Sequence, residues 1–177
     1  MTAVSPLVVL TDRLLLRPVR NADAEATAAL MTPRVAASLS SWHSPMSVEE
    51  ARSRVEKSQA ARRDGTAVDF AIIERLGDRL VGWVGLKQVC PQRARLGYWI
   101  GAPFQGLGYG SEAAAAALRT GAGFLKASIV EASAREENAA SIAILRKLGM
   151  SRCGTCPERM QWRNVVELCA VYELQLT

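Results

Sequence analysis

The spacing of hydrophobic residues along the chain changes twice. A short apolar run at 13–19 predicts an opening strand, and apolar residues then recur at helical spacing over 21–31 and 47–63. A loop rich in Ser and Pro separates these two helical segments. The following runs are rich in β-branched and aromatic residues and predict three strands, at 67–74, 79–89 and 93–101.

The second half of the chain alternates helical and extended patterns. An alanine-rich segment at 108–124 predicts a helix, 127–134 a strand, and 138–149 another helix. The tail, 160–176, predicts one or two antiparallel strands. Because no repeat or low-complexity linker divides the sequence, residues 1–177 are expected to form a single α/β domain.

Capping residues mark the ends of the predicted helices. Ser47 and Glu50 have the S-x-x-E spacing of a capping box. Asn21 and Asn138 are expected N-caps. Gly149 is expected to stop the last helix, because glycine readily takes the left-handed conformation that ends one.

Composition narrows the function classes. Hydrophobic residues make up 49% of the 177 residues and charged residues 22%, which is typical of a globular domain. The apolar runs are too short for a membrane span, and the N-terminus lacks the pattern of a signal peptide, so a cytoplasmic location without membrane contact is expected. The net charge is +5, but acidic residues are interspersed among the basic ones and no aromatic residues alternate with them, so no nucleic-acid partner is expected.

The cysteines do not have the spacing of a metal site. Cys153 and Cys156 form a C-x-x-C pair, but no second pair follows, and His43 is the sole histidine. Cys90 and Cys169 stand alone in the sequence. The four thiols are therefore expected to be reduced and partly buried, with no bound metal.

Glycines precede the alanine-rich helix, in the sequence PFQGLGYGSEAAAAAL at 103–118. The N–H groups of a helix's first turn have no partner within the helix, and the helix dipole adds positive charge there. Glycines let a phosphate approach this backbone without a Cβ in the way. The segment therefore predicts a pyrophosphate cradle built from the N–H groups of Leu107 to Ser111.

Two other phosphate-binding motifs also contain glycines before a helix. A Walker loop requires Gly-Lys-Ser/Thr, which the segment lacks. Gly108, Gly110 and Ala113 match the letters of the dinucleotide fingerprint, with Glu131 downstream for a ribose. However, a dinucleotide fold normally starts with this unit, whereas a helical pair and a meander precede it here. A nicotinamide-dependent oxidoreductase remains an alternative.

A wider set of motifs resembles one enzyme superfamily. Residues 105–110 read Q-x-x-G-x-G, which is similar to the acyl-CoA pyrophosphate signature of the GNAT N-acetyltransferases. The segment ENAASIAILRKLGM resembles that superfamily's N-x-A-S helix. TDRLLLRPV and LGYWIG resemble its RimJ/RimL-type branch, which acetylates ribosomal-protein N-termini. The resemblance runs from about residue 11 to residue 174.

The resemblance implies the fold and the cofactor. The fold is a mixed, mostly antiparallel sheet of six to seven strands flanked by about four helices, splayed between the strands at 93–101 and 127–134. Acetyl-CoA, the co-substrate, enters this V, and a free amine attacks its thioester directly. The residues expected to bind it are Trp99, Ile100, Gln105, Gly106, Leu107, Gly108, Tyr109, Gly110, Ser111, Asn138 and Ser141.

The resemblance also suggests catalytic residues. Asn138 and Ser141 are three apart, on one helical face. Asn138 is expected to bond pantetheine or order a water, and Ser141 to donate a proton or hydrogen bond to the departing sulfur. Alternatively, Asn138 is only an N-cap, and Ser141 is only a small residue that packs the helix against the sheet.

Two positions depart from the family pattern. Leu145 stands where many members carry a tyrosine general acid, and Arg95 where the branch often carries a glutamate. Water, Asp69 or Glu74 then remains as the base, or the amine arrives neutral, or catalysis is weak. Glu112, at the first turn of the helix, is expected to complement its dipole. Because the expected tyrosine and glutamate are both missing, a non-catalytic acyl-CoA binder is a second alternative.

The acceptor is the least defined part of the site. The resemblance suggests that Trp42 and His43, in the loop between the first two helices, contact the acceptor, although a lone loop histidine is often only a surface residue. Arg95 is expected to hold an acidic group of the substrate or to be an exposed strand residue. Trp83, Tyr98, Trp99 and Trp162 are assigned to the core or cleft wall. The acceptor could be a protein N-terminus or a small amine, and the protein a monomer or homodimer.

Overall fold

The computed structural model describes residues 7–176, which form eight strands and five α-helices. The strands are β1 (Val9–Leu10), β2 (Leu14–Pro18), β3 (Ala67–Glu74), β4 (Arg79–Cys90), β5 (Arg93–Ile100), β6 (Ile129–Arg135), β7 (Ser151–Met160) and β8 (Val165–Gln175). The helices are α1 (Ala24–Leu30), α2 (Pro33–Ala36), α3 (Val48–Arg63), α4 (Tyr109–Leu125) and α5 (Ala139–Lys147).

All eight strands belong to one open sheet, in the order β1-β2-β3-β4-β5-β6-β8-β7. Every neighbouring pair is antiparallel except β5 and β6, which are parallel. The predicted mixed, mostly antiparallel sheet is confirmed. It has eight strands where six to seven were expected, and five α-helices flank it where about four were expected. The parallel sheet of a dinucleotide fold is excluded, because a single parallel pair cannot form it.

The sheet splits between β5 and β6. Within residues 7–176 these strands pair at only three positions, which join residues 93–95 to residues 129–131. Beyond Arg95 and Glu131 the strands diverge, so the edge of β5 from Leu96 to Ile100 has no strand partner on that side. This confirms the predicted V-shaped opening.

Helices cover both faces of the sheet. Because side chains alternate along a strand, β3 points Val68, Phe70 and Ile72 at α4 and points Ala71 and Ile73 at the layer of α1, α2 and α3. Small alanines on α4 let that helix lie close to the strands, and these alanines are fully buried. Two hydrophobic cores result, one on each side of the sheet.

Most of the predicted helix caps are confirmed. The Ser47 hydroxyl accepts the Glu50 N–H at 3.2 Å, and the Glu50 carboxylate accepts the Ser47 N–H at 2.8 Å. Asn138 caps α5, which ends just before Gly149, a residue with a φ of 81°. The prediction at Asn21 was wrong, because Asn21–Asp23 form a 3-10 turn that precedes α1.

Three elements were not predicted, and the two-residue strand β1 (Val9–Leu10) is one of them. β7 has a largely exposed sequence with glycine, proline and two cysteines, all poor strand signals, and it forms the sheet edge, where such residues are tolerated. On it, Cys156 lies opposite Cys169 of β8, and both thiols are free. The short helix α2 begins with Pro33, between the predicted first helix at 21–31 and the Ser- and Pro-rich loop expected at 38–46.

Candidate active site

A cleft of about 1100 Å³ opens where β5 and β6 diverge. The start of α4, the first turn of α5 and the loop before α3 complete its walls. Every predicted site residue lines it except Leu107 and His43. The fold therefore brings the glycine-rich segment, the turn of Asn138 and Ser141, and Trp42 to one cavity.

The glycine-rich loop presents bare backbone to this cleft. Gly106 and Gly108 have φ values of 79° and 82°, in the left-handed region that favours glycine. Gly108 is the N-cap of α4 and offers no side chain, so no side-chain cap occupies the first N–H groups of the helix. Apart from residues 105–107 themselves, no described residue has an atom within 4 Å of the place that a Cβ on Gly106 would take. The loop thus has the geometry of an anion site at a helix N-terminus.

Gly110 also lines the cleft but is enclosed by neighbours. A Cβ there would lie 3.2 Å from Ile144 Cδ1, 3.6 Å from Ile100 Cγ1 and 3.9 Å from Tyr98 Cε2. A larger residue would press on these side chains. A substitution at Gly110 would therefore change the packing of α4 against α5 and β5 as well as the cleft.

A charged network holds the glycine-rich loop from behind. The Arg13 guanidinium donates to the Leu107 carbonyl at 2.8 Å and lies 4.9 Å above the centre of the Tyr109 ring. The Tyr109 hydroxyl donates to Glu74 at 2.7 Å, and Glu74 also pairs with Arg79. Glu74 does not line the cleft, so its geometry does not suit the role of base.

Glu112 fixes the start of α4 to the N-terminal strands. Its carboxylate accepts the Thr11 hydroxyl at 2.6 Å, the Arg13 N–H at 2.9 Å and the Arg13 Nε–H at 2.8 Å. Burial alone would raise the pKa of Glu112, but these hydrogen bonds and the Arg13 charge outweigh it and lower the pKa. Glu112 is thus an ionised structural anchor.

We expect Glu112→Gln to lower the free energy of unfolding by about 1 kcal/mol at pH 7, because a charge-assisted hydrogen-bond set is lost. Since the folded pKa of Glu112 lies below the unfolded value of about 4.3, its contribution is present above that pH and disappears as the pH falls through the folded pKa. Urea unfolding at pH 7 and pH 3 measures this. Glu49→Gln, an exposed first-turn acid of α3, is the control. Equal losses in both variants would contradict the prediction.

Asn138 and Ser141 are close, as predicted, and a third residue joins them. Asn138 Oδ1 accepts the Ser141 N–H at 3.1 Å, which satisfies the N-cap alternative. The Ser141 hydroxyl lies 2.8 Å from the hydroxyl of Tyr98 on β5. Burial raises the pKa of Tyr98, although its bond to Ser141 offsets part of the effect, so the phenol stays protonated.

Tyr98 was missed as a functional candidate. Leu145, at the position expected for a tyrosine, is fully buried and cannot donate. Tyr98 lines the cleft from the opposite wall and supplies a phenol beside Ser141. Alternation along β5 puts Tyr98 on the helix α4 side, but only the packing of α5 shows that Ser141 meets it.

Arg95 lies at the vertex of the V, with its charge already neutralised. Its Nε and Nη2 donate to Glu131 Oε1 at 2.8 and 2.6 Å, and its Nη1 lies 3.7 Å from Glu158. Glu131 is its register partner on β6. Because these carboxylates hold the guanidinium, Arg95 serves to join the two strands.

Trp42 and His43 lie in different cavities. Trp42 packs its ring against Trp83 and Trp99, with centroid distances of 5.4 and 5.3 Å, and lines the cleft. His43 lies 3.1 Å from Glu50 in a separate pocket of about 390 Å³. The structure therefore does not bring His43 to the cleft.

The sequence profile of the acetyltransferase (GNAT) domain matches residues 13–151. This chain belongs to that family. This chain is also 29% identical to uncharacterized N-acetyltransferase p20 of Bacillus licheniformis over 109 residues, which are 60% of this chain and 61% of that protein. This match thus spans less than two thirds of that relative's length.

Solved structures share the whole GNAT architecture. A protein of Vibrio cholerae assigned as a ribosomal-protein-serine acetyltransferase has a TM-score of 0.78 at 26% identity, over 96% of this chain and 97% of that one. Mycobacterium smegmatis RimJ, in complex with CoA-disulfide, has a TM-score of 0.80 at 21% identity, over 92% and 81% of the two chains. This chain therefore shares its overall fold with other acetyltransferases.

Two further observations concern residues 7–176. No helix in this range is long and apolar enough to cross a membrane. Nor do its His, Cys, Asp and Glu side chains form a group of three or more that could hold a metal ion.

Proposed function

We propose that this GNAT protein transfers an acetyl group from acetyl-CoA to a primary amine. The observation that carries the proposal is the cleft itself, which joins an open helix N-terminus, a strand edge without a strand partner and a half-buried hydroxyl pair. These three features match the three parts of the co-substrate: diphosphate, pantetheine and thioester.

The diphosphate is proposed to bind the glycine-rich loop. Residues 106–111 offer backbone N–H groups at the positive end of the α4 dipole, and Gly106 keeps the approach clear. Gln105 steadies this loop by donating from Nε2 to the Ile100 carbonyl at 3.0 Å. The chain's net charge of +5 favours an anionic ligand as well.

The pantetheine arm is proposed to extend β5. Past Arg95 this strand has a strand partner on the β4 side alone, so its other edge faces the cleft, where Gln105 bonds the Ile100 carbonyl and the other backbone groups have no strand partner. An extended molecule with amide groups can pair with such an edge as an added strand does. Trp99 and Ile100 would supply these backbone contacts.

The hydroxyl pair is proposed to assist the leaving thiol. A free thiol has a pKa of about 8.5, so its departure at neutral pH benefits from a proton or a strong hydrogen bond. Ser141 faces the cleft with Tyr98 behind it at 2.8 Å, so the serine can donate to sulfur while the phenol donates to the serine. This pair takes the place of the tyrosine missing at Leu145.

The acceptor is proposed to be an amine such as a protein N-terminus. The similarity to the Vibrio cholerae protein assigned as a ribosomal-protein-serine acetyltransferase supports this class. The alternative, a non-catalytic acyl-CoA binder, draws on Arg95 where a catalytic glutamate is often found. Thiol release that depends on an added amine separates the transferase from the non-catalytic binder.

We expect acetyl-CoA at a concentration about 100 times its Kd to raise the free energy of unfolding by about 2.7 kcal/mol, because it binds only the folded chain. Chemical unfolding with and without ligand measures this, and NAD at equal concentration is the control. Stabilisation by NAD alone would contradict the proposal.

Release of free thiol from acetyl-CoA, measured across peptides and small amines, then tests catalysis. Amine-dependent release supports the transferase. Binding without release for every amine would favour the non-catalytic binder.

A further inference from the structure

A row of three residues leads across the sheet into the cleft. Asp69 on β3 lies opposite Gly85 on β4, which lies opposite Gly97 on β5. Residues opposite one another share a face of a sheet, and Asp69 has the parity of Ala71, so the row faces the layer of α1, α2 and α3. Asp69 is therefore the only one of these three residues that has a side chain.

The two glycines form the floor of a lane. A Cβ on Gly85 would lie 2.0 Å from Asp69 Oδ1, so the carboxylate already lies over this glycine and points along the row. Above Gly97, no described residue other than residues 96–98 has an atom within 4 Å of a would-be Cβ. All three residues line the cleft. The lane thus runs from the Asp69 carboxylate to the open edge of β5.

Aromatic rings form one wall of this lane. Trp83 and Trp99 occupy the next row, opposite each other on β4 and β5, and Trp42 closes over both. Trp99 is 5% exposed, and its indole N–H has no hydrogen-bond partner among the described residues. Indole faces attract cations, and a free indole N–H can bond a polar group near one.

The other wall is charged, but its arginine is neutralised. Lys87 and Arg95 occupy the row on that side, and Arg95 is held by Glu131. The lane therefore combines a carboxylate at its end, an aromatic wall and an open mouth beside the strand edge proposed for acetyl-CoA. A primary ammonium group fits this chemistry.

We propose that the acceptor's ammonium group binds over Gly97, beside the Asp69 carboxylate that lies over Gly85, and that Asp69 removes its proton. This inference rests on the proposed acetyl transfer and names the base that the family position at Arg95 does not supply. It also defines the acceptor as a primary ammonium that enters on the α1–α3 side of the sheet.

The step balances with groups already described. One ammonium proton passes to Asp69, and the freed nitrogen lone pair forms a C–N bond to the thioester carbonyl carbon. The C–S bond breaks, and the sulfur takes a proton from the pair of Ser141 and Tyr98. The second nitrogen proton leaves as the amide forms and replaces the one given to sulfur. Asp69 then releases its proton to water.

The surroundings of Asp69 strengthen it as a base. Burial raises its pKa, and this outweighs the hydrogen bond from Ser58 on α3 and the charge of Lys87 on β4, which lower it. A higher pKa brings the carboxylate closer to that of an amine and makes proton transfer more favourable. Ser58 and Lys87 are the groups that face it from these two packed elements.

The test compares Asp69→Asn with the unaltered protein. We expect the Kd for acetyl-CoA to stay within about twofold, while kcat/KM for the amine falls by at least about 100-fold at pH 7, which is typical when a general base is removed. In the variant, the remaining rate should rise about tenfold per pH unit, because it depends on the neutral fraction of the amine. Asp64→Asn, exposed at the end of α3, is the control.

A second variant tests the lane separately. Gly97→Val places a branched side chain in open space on a strand, where valine is favoured, so the fold should survive. We expect the KM for the amine to rise at least about tenfold with the Kd for acetyl-CoA unchanged, because uniform substrate binding is lost.

The outcomes are distinct. Loss of turnover in Asp69→Asn, with acetyl-CoA bound normally, supports the inference. Turnover within about threefold of the unaltered protein across the pH range, or loss of acetyl-CoA binding, overturns it, since a general base contributes about 100-fold or more. If the unaltered protein releases no thiol with any amine, the proposed function itself has failed, and the inference fails with it.

Discussion

Replacing Gly106 by valine should weaken acetyl-CoA binding by at least about tenfold and leave a folded protein, since one hydrogen bond to a charged group contributes about 1.5 kcal/mol or more. Gly106 has a φ of 79°, and the space around its would-be Cβ is open toward the cleft. A branched side chain would stand where the diphosphate is proposed to lie, and it would also strain the loop. Isothermal titration with acetyl-CoA measures the affinity.

Gly65→Val is the matched control for this variant. Gly65 follows α3 with a φ of 71° and also has open space around a would-be Cβ, but it does not line the cleft. Both variants should suffer similar backbone strain of about 1–2 kcal/mol. Only Gly106→Val should lose affinity. Equal affinity in the two variants would place the diphosphate elsewhere.

Replacing Ser141 by alanine should lower kcat by about tenfold or more with little change in acetyl-CoA affinity, because its contact with sulfur strengthens only as the thiol leaves. The N-cap is retained, since Asn138 bonds the backbone N–H of residue 141 and not its hydroxyl. Steady-state kinetics at saturating acetyl-CoA, with titration of the ligand, separates the two effects.

Tyr98→Phe should give a smaller fall in kcat, because Ser141 would remain but lose the phenol that orients it. Ser151→Ala, exposed at the start of β7, is the control and should behave like the unaltered protein. If Ser141→Ala instead lowers affinity and keeps turnover at saturation, the serine binds the cofactor and does not donate to sulfur. If neither changes, it only packs the helix.

Local signals carried most of the fold prediction. The capping box of Ser47 and Glu50 and the N-cap at Asn138 involve neighbours in sequence, so a short motif determines them. The sequence did not predict β7, because its residues have weak strand propensity and its pairing with β8 is a tertiary effect. Local rules cannot supply that pairing.

The sequence predicts the part of the candidate site whose residues are neighbours in the chain. It misses the contacts between residues that only the fold brings together. Gly106 and Gly108 stand together in the sequence before a helix, and the structure places both in the cleft. The contact of Tyr98 with Ser141 spans 43 positions and depends on how α5 packs. The alignment of Asp69 with two glycines depends on strand register, which follows from turns and a bulge in β3 and β4.

The junction of β5 and β6 also determines how the cleft can move. Three residue pairs join the arm formed by β1–β5 edge to edge to the arm formed by β6, β8 and β7. Arg93 and Arg95 cross this junction to Glu173 and Glu131. The two arms also meet across the cleft, because the Gln161 N–H donates to the Ser40 carbonyl and Arg135 donates to the Ala37 carbonyl. Any opening of the cleft must therefore break these contacts as well as bend the short parallel pairing, and a molecule that touches both arms would hold them at one separation.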